Sequence, residues 1–161
     1  MTILDKIRSF LSDTTNLSLG CNEINFIQAD SLDEEQIGYS IDQYGNSLVT
    51  GQDGDWHEEW LVIGADQLGD PIIVDVSSTK LTILSAAHGE GSWEPFVIAD
   101  SLDAFKNIIS ILGNVSKERT NPVDMKKNPL TDKERQEALR RIEQQNPESE
   151  IWYWENFFES D

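Results

Sequence analysis

The stretch EWLVIGADQLGDPIIVDVSSTKLTILS, residues 59–85, alternates short apolar runs with turn residues. EWLVIG (59–64), DPIIVDV (70–76) and KLTILS (80–85) are rich in Val, Ile and Leu, and GADQLGDP and DVSSTK connect them. Runs of this length between Gly, Asp, Pro and Ser predict strands, and the short connections predict consecutive antiparallel pairing in a meander. In the first run Trp60, Val62 and Gly64 alternate with Leu61 and Ile63, so both faces carry apolar side chains. Such a strand is expected to be central and covered by helices. That places Trp60 in the core and Trp56 at the rim, with Trp93 as a neighbour of both. The expectation is that these tryptophans are structural, with the carboxylates around them facing solvent.

Outward from this meander, EPFVIA (94–99) is a candidate fourth strand and INFIQ (24–28) another. DSLDAFKNIISILGN (100–114) is the clearest helix, with Asp100 or Ser101 as cap and an apolar stripe of Leu102, Phe105, Ile108, Ile109 and Leu112. Gly113 offers its stop. Residues 2–12 form a short amphipathic helix on Ile3, Leu4, Ile7, Phe10 and Leu11. Residues 31–60 are turn-rich, with Gly at 38, 45, 51 and 54. Residues 114–130 read as a polar, Pro-containing linker. TDKERQEALRRIEQQN (131–146) opens with a capping box, Thr131 to Glu134, above a thin stripe of Ala138, Leu139 and Ile142. IWYWENFF (151–158) holds five aromatics in eight residues. Ile151, Trp154 and Phe158 share a helical face there, which favours docking onto the domain; left undocked, the segment is an exposed apolar patch and so a partner site. The expected organisation is an α+β domain over 1–116, an antiparallel-rich sheet flanked by helices, with 117–161 as a linker and helical extension docking on it.

Length and composition set limits. A chain of 161 residues with 38% hydrophobic residues can bury a core without disulfide or metal. Cys21 is the single cysteine, so no intramolecular disulfide is available. Asp5, Lys6 and Arg8 interrupt the N-terminal apolar run, which is not a signal peptide, and nothing reaches the ~20 apolar residues of a membrane span. A soluble cytoplasmic protein is expected. Charge is the strongest global feature: 30 acids against 12 bases give −18, and between Ser9 and Thr79 there are fourteen Asp/Glu and no Lys or Arg. From Gly113 to Asp161 eleven acids face eight bases. Such a field disfavours nucleic acid and anionic membrane and favours a cationic partner; solubility alone also explains acidity.

The carboxylate-rich segment fails the tests for metal and catalytic chemistry. An EF-hand loop starting at Asp53 needs Gly at its sixth position, where Glu58 stands. For zinc there are Cys21, His57 and His88, far apart and without paired spacing. AAHGEGSW (86–93) has no basic residue to pair with phosphate. No G-x-S-x-G elbow or dinucleotide fingerprint occurs. His88 with Glu90 is a conceivable acid/base pair, against a plain role as turn residues. No cofactor, no metal and no catalytic residue is expected.

The segment 55–109 resembles the SUKH superfamily, whose founding eukaryotic member is the yeast Smi/Knr-type cell-wall regulator. The matching pieces are a Trp leading into an apolar strand that ends in Ile-Gly (Trp60 to Gly64), the turn Gly69-Asp70-Pro71, the second strand's end at Val74-Asp75, and the helix Asp100 to Leu112. The likeness covers about 36–112 in order and spacing. Many members open with two helices, the second rich in Lys and aromatics. Here a short helix and the acidic stretch 13–55 stand instead, and 117–161 is added. The resemblance implies a sheet flanked by helices with no catalytic residues. It also implies an immunity-type role, since bacterial members commonly bind and neutralise secreted toxins, often nucleases.

Three functions follow as expectations. The first is a cytoplasmic immunity-type protein that neutralises a cationic toxin domain, with a nuclease as the candidate class, through Asp53, Asp55, Trp56, Glu58 and Glu59, with Asp33, Glu34 and Glu35 as a second group. The second is a non-catalytic scaffold or regulatory module of the Smi/Knr type, with a non-toxin partner. The third is an enzyme using His57 or His88 with nearby carboxylates.

Overall fold

The structure, a computed structural model, describes residues 1–159. The meander is present as β3 (Trp60–Asp66), β4 (Pro71–Asp75) and β5 (Ile83–Ser85). β1 (Leu17–Leu19) and β2 (Asn22–Phe26) extend it on one side and β6 (Phe96–Ala99) on the other. Among the described residues this makes a six-stranded antiparallel sheet in chain order. The helices are α1 (Ile3–Asp13), α2 (Leu102–Val115), α3 (Pro122–Lys127), α4 (Asp132–Gln145) and α5 (Ile151–Phe157). The class is α+β, as expected, in one domain.

Several boundaries differ from the sequence reading, each for a local reason. The third run starts at Ile83 and not Lys80, because Leu81 takes φ 58 and closes the preceding turn with its N–H on Ser78 O at 3.3 Å. The second strand spans Asn22–Phe26, set by its hairpin partner β1 around Gly20 at φ 61. Ser101 is the cap of α2, its Oγ accepting from Ala104 N. Gly113 does not stop this helix, which runs on to Val115. The terminal carbonyls have partners there: Ser116 Oγ donates to Gly113 O at 3.1 Å, and Arg119 Nη1 donates to Val115 O at 3.0 Å. Arg119, only 8% exposed, also donates to Asn128 O and pairs with Glu134 at 3.0 Å. The expected linker is therefore an ordered corner containing α3, with Asn121 as its cap and Pro122 in its first turn. Met125 and Leu130 from this corner enter the core. The capping box of Thr131 and Glu134 is formed as read.

The sheet has two covers of different kinds. Ile63, Ile72, Val74, Ile83 and Ile98 point to the main core, shared with Ile7 and Phe10 of α1, Phe105 and Ile108 of α2, and Ile142 of α4. Val62, Ile73 and Leu84 point the other way, into a smaller core with Trp56 and Ala86. That second face is covered by turn-rich chain, not by helices as expected, and Tyr39, Val49, Trp60 and Trp93 close over it. Gly64 sits at a bulge in β3, where a Cβ would lie 2.5 Å from Asn25 O. The Ile-Gly step thus has a steric cause: the backbones approach too closely there for any side chain.

The aromatic tail is docked. Tyr153, Trp154, Phe157 and Phe158 are buried, and Trp154 Nε1 donates to Ile98 O at 2.7 Å. Glu150 N donates to Val97 O at 2.8 Å, so the approach to α5 covers the outer edge of β6. At the other margin of the sheet, Asn22 Nδ2 donates to Phe157 O at 2.9 Å. The tail therefore ties the first hairpin to the last strand.

Candidate functional site

The acidic stretch 31–60 lacks the alternation for a strand and the spacing for a long helix, so side chains must anchor it. Gln36, 6% exposed, does this at one end: its amide bonds both backbone groups of Val62. At the other end Trp93 N donates to Gly54 O at 2.7 Å, joining the 49–59 loop to the 86–95 loop. Gly54 has φ +87, and a Cβ on it would come within 2.9 Å of Ser92 Cβ, so only glycine fits there.

Between these anchors lies an aromatic cluster centred on Trp56. Its ring packs edge-on against Trp60 at 5.4 Å and Trp93 at 5.1 Å, and tilted against Tyr39 at 5.1 Å. The indole N–H donates to Trp60 O at 3.1 Å. Trp56 is 2% exposed, whereas Trp60 and Trp93 are half-buried. This reverses the expected placement of Trp56 and Trp60. Trp56 was named as a partner contact, but it lies beneath the other rings and supports them.

Open recesses flank the cluster. One, of 620 Å³, is lined by Trp56, Trp60 and Trp93 together with Asp53, Asp55 and Glu58. A second, of 360 Å³, lies between Tyr39, Leu48 and Trp93. Asp53 and Glu58 are exposed, while Asp55 and Glu59 are half-buried. Asp55 accepts from Thr50 Oγ1. His57 lies over Trp60 at 5.6 Å, and its Nδ1 accepts from Glu59 N at 3.3 Å.

The second acidic group is only partly joined to this face. Asp33, Glu34 and Glu35 are all exposed. Burial raises the Tyr39 phenol pKa, with the charges of Glu35 and Asp70 adding to it. Asp33 instead lies 3.9 Å from Arg8 of α1. Ile37, Tyr44 and Leu48 are exposed on the same loop, 48%, 80% and 38%, and add apolar area the sequence reading did not use.

His88 pairs with Asp70, not with Glu90: Nδ1 lies 2.6 Å from Asp70 Oδ1, and its backbone N–H donates to the same oxygen at 3.0 Å. Next to this pair, the buried Asp66 carboxyl accepts from Leu68 N, Asp70 N and Tyr153 Oη. Burial pushes its pKa up, and it pushes Tyr153 well above the ordinary phenol range. A carboxylate-oriented imidazole suits proton transfer, yet among the described residues no Ser or Thr side chain hydrogen-bonds its Nε2. Nor do three His, Cys, Asp or Glu side chains converge there as metal ligands.

No family model, curated protein or solved structure matches this chain. Among the described residues no helix is long and apolar enough to cross a membrane. Trp93 packs beside Trp56 as expected, and the residues the sequence reading missed are Gln36 and Tyr39 as parts of the same face, and Asp70 as the partner of His88. A weak signal for the aromatics existed: each lies in or beside a Gly-rich turn, where a bulky ring has no strand or helix of its own to pack into.

Proposed function

We propose that this chain is a cytoplasmic, non-catalytic, immunity-type binding protein that neutralises a cationic toxin domain, nuclease-like in class, through the face formed by loops 33–59 and 86–95. The observation carrying this is the pairing of half-buried tryptophans with exposed carboxylates on one face, drawn from two stretches, 9–79 and 81–105, that hold no Lys or Arg. Buried aromatic anchors with a charged rim make an interface, and rim charge accelerates encounter with an oppositely charged partner. A nuclease cleft is basic because it holds phosphates, which makes it complementary. The resemblance of 36–112 to the SUKH superfamily supports the same reading. A Smi/Knr-type scaffold would use the same face on a different partner, and binding that survives high salt would favour it.

The test is affinity purification of the tagged protein at low salt, repeated with a Glu34→Lys/Glu35→Lys/Asp53→Lys/Glu58→Lys variant of unchanged circular dichroism. A basic, nuclease-like partner held by the wild type, released as salt rises and lost with the variant, is the expected result. A partner retained equally by the variant sinks the acidic-face reading. Recovery of envelope or signalling proteins instead moves the function to the scaffold.

A further inference from the structure

We propose that the 620 Å³ recess between Trp60 and Trp93 is a receptor for one arginine side chain of the partner. This deepens the proposed function and rests on it.

The recess combines two features that meet in few places on a protein surface. Its walls are indole rings, with Trp56 fixed behind Trp60 and Trp93 at near-perpendicular angles of 88° and 84°. Its lining includes Asp53, Asp55 and Glu58. Among the described residues Asp53 and Glu58 make no hydrogen bond or ion pair within the chain, so their charge is available to a ligand. Among the described residues no Lys or Arg lines the recess. Lys80 is engaged with Glu148 at 2.8 Å and Arg8 lies beside Asp33.

The choice of arginine over lysine follows from the ring geometry. A guanidinium is planar, stacks on aromatic faces and gives forked hydrogen bonds to carboxylates, whereas an ammonium is a compact, strongly hydrated point charge. Trp60 already takes a planar nitrogen group of that kind, the His57 imidazole, tilted by 36°. His57 is itself 55% exposed, held through Nδ1 by Glu59, and must turn aside as a side chain enters. The volume lies within the range of small-ligand sites, so the recess admits a side chain and the adjoining backbone.

The test uses the isotope-labelled full chain and three tripeptides, acetyl-Gly-Arg-Gly-amide and its lysine and citrulline counterparts, followed by NMR at the indole N–H and backbone amides. The arginine peptide is expected to shift the Trp60 and Trp93 indoles saturably while leaving Trp152 unmoved. The lysine peptide should bind several-fold more weakly, and the neutral citrulline peptide about ten-fold more weakly. An Asp53→Asn/Glu58→Gln variant, altered only at exposed side chains, should weaken the arginine peptide about three- to ten-fold. Equal binding of arginine and citrulline, or shifts of Trp152 as large as those of Trp60, overturns the proposal. A hexalysine peptide separates the two levels. If it perturbs amides 33–35 and 53–59 while the arginine peptide leaves the indoles unmoved, the acidic face stands and the receptor falls. If neither peptide binds, both fall.

Discussion

Gln36 pairs with Val62 as though it were a strand. Its Oε1 accepts from Val62 N at 2.9 Å and its Nε2 donates to Val62 O at 2.9 Å, with a second bond from Nε2 to Leu32 O. β2 pairs with β3 through Phe26 opposite Gly64, and Ile27 N still reaches Ile63 O. One residue further along, on the β2 side, a side-chain amide takes the role of the missing neighbour. Both groups of Val62 are thereby satisfied inside the fold, and the acidic loop is fixed to the sheet.

Gln36→Leu keeps the volume but leaves Val62 N, Val62 O and Leu32 O without these partners. The expected loss in urea unfolding is about 2–4 kcal/mol, since each buried backbone group left unsatisfied costs about 1–3 kcal/mol before relaxation. A loss below about 0.5 kcal/mol would show that water replaces the amide and that the loop is not held this way.

Asp66 gives a pH signature of defined sign. Burial raises its folded pKa above the unfolded value, so its contribution to stability is fully present below the unfolded pKa and is lost as pH rises through the folded one. Asp66→Asn keeps an oxygen for the N–H groups of Leu68 and Asp70 and removes this titration. The stability of the variant relative to wild type should therefore climb from about pH 4 and level off once the folded carboxyl has ionised. Subtracting the two curves cancels the exposed carboxylates with lowered pKa values, such as Glu148 held by Lys80, whose effect runs the opposite way. A flat difference between the two proteins would mean that Asp66 is ionised in the fold at no cost.

The two crowded glycines should behave differently. Gly64→Ala puts a Cβ 2.5 Å from Asn25 O in the sheet, so the backbones must part, and the predicted outcome is global destabilisation of about 2 kcal/mol or more. Gly54→Ala combines positive φ with a Ser92 contact of 2.9 Å, but it sits in the surface platform. There the change should show as altered Trp93 fluorescence and weakened partner binding, with most of the unfolding midpoint retained. Equal effects of the two substitutions on the midpoint would argue that platform and sheet unfold as one unit.

The tail offers an internal control. Trp154 is fully buried with its indole N–H bonded, so Trp154→Ala should cost about 3–5 kcal/mol. Trp152, two residues away, is 45% exposed and packs on Phe96 at 4.8 Å, so Trp152→Ala should cost under about 1 kcal/mol. Thermal melts of the two variants decide this, and a costly Trp152→Ala would assign that ring a structural role that its exposure does not suggest.

The meander and α2 were legible because burial on fixed periods writes itself into Val, Ile, Leu and Phe spacing. The capping box at Thr131 was legible because capping is local chemistry. What stayed hidden depends on contacts between segments far apart in the chain. Nothing near Gln36 says that its amide substitutes for a strand 26 residues away. Arg119 looks like one more charge in a polar linker, yet it turns that linker into a corner by bonding Val115 and Asn128. The site was half legible. Carboxylate density picked out Asp53, Asp55 and Glu58, which line one recess, but the order of the tryptophans came out inverted, because a strand's alternation placed Trp60 and said nothing of a ring tucked beneath it from the preceding loop.

The cover that residues 150–154 place on β6 has a consequence for the order of events during synthesis. Residues 1–149 leave the ribosome before the segment that occupies Val97 O and Ile98 O. For that interval the last strand is an open edge bearing apolar residues, the form of β-structure most apt to pair with another chain. The nascent protein is therefore most exposed to misassembly when its sheet is complete and its tail is not.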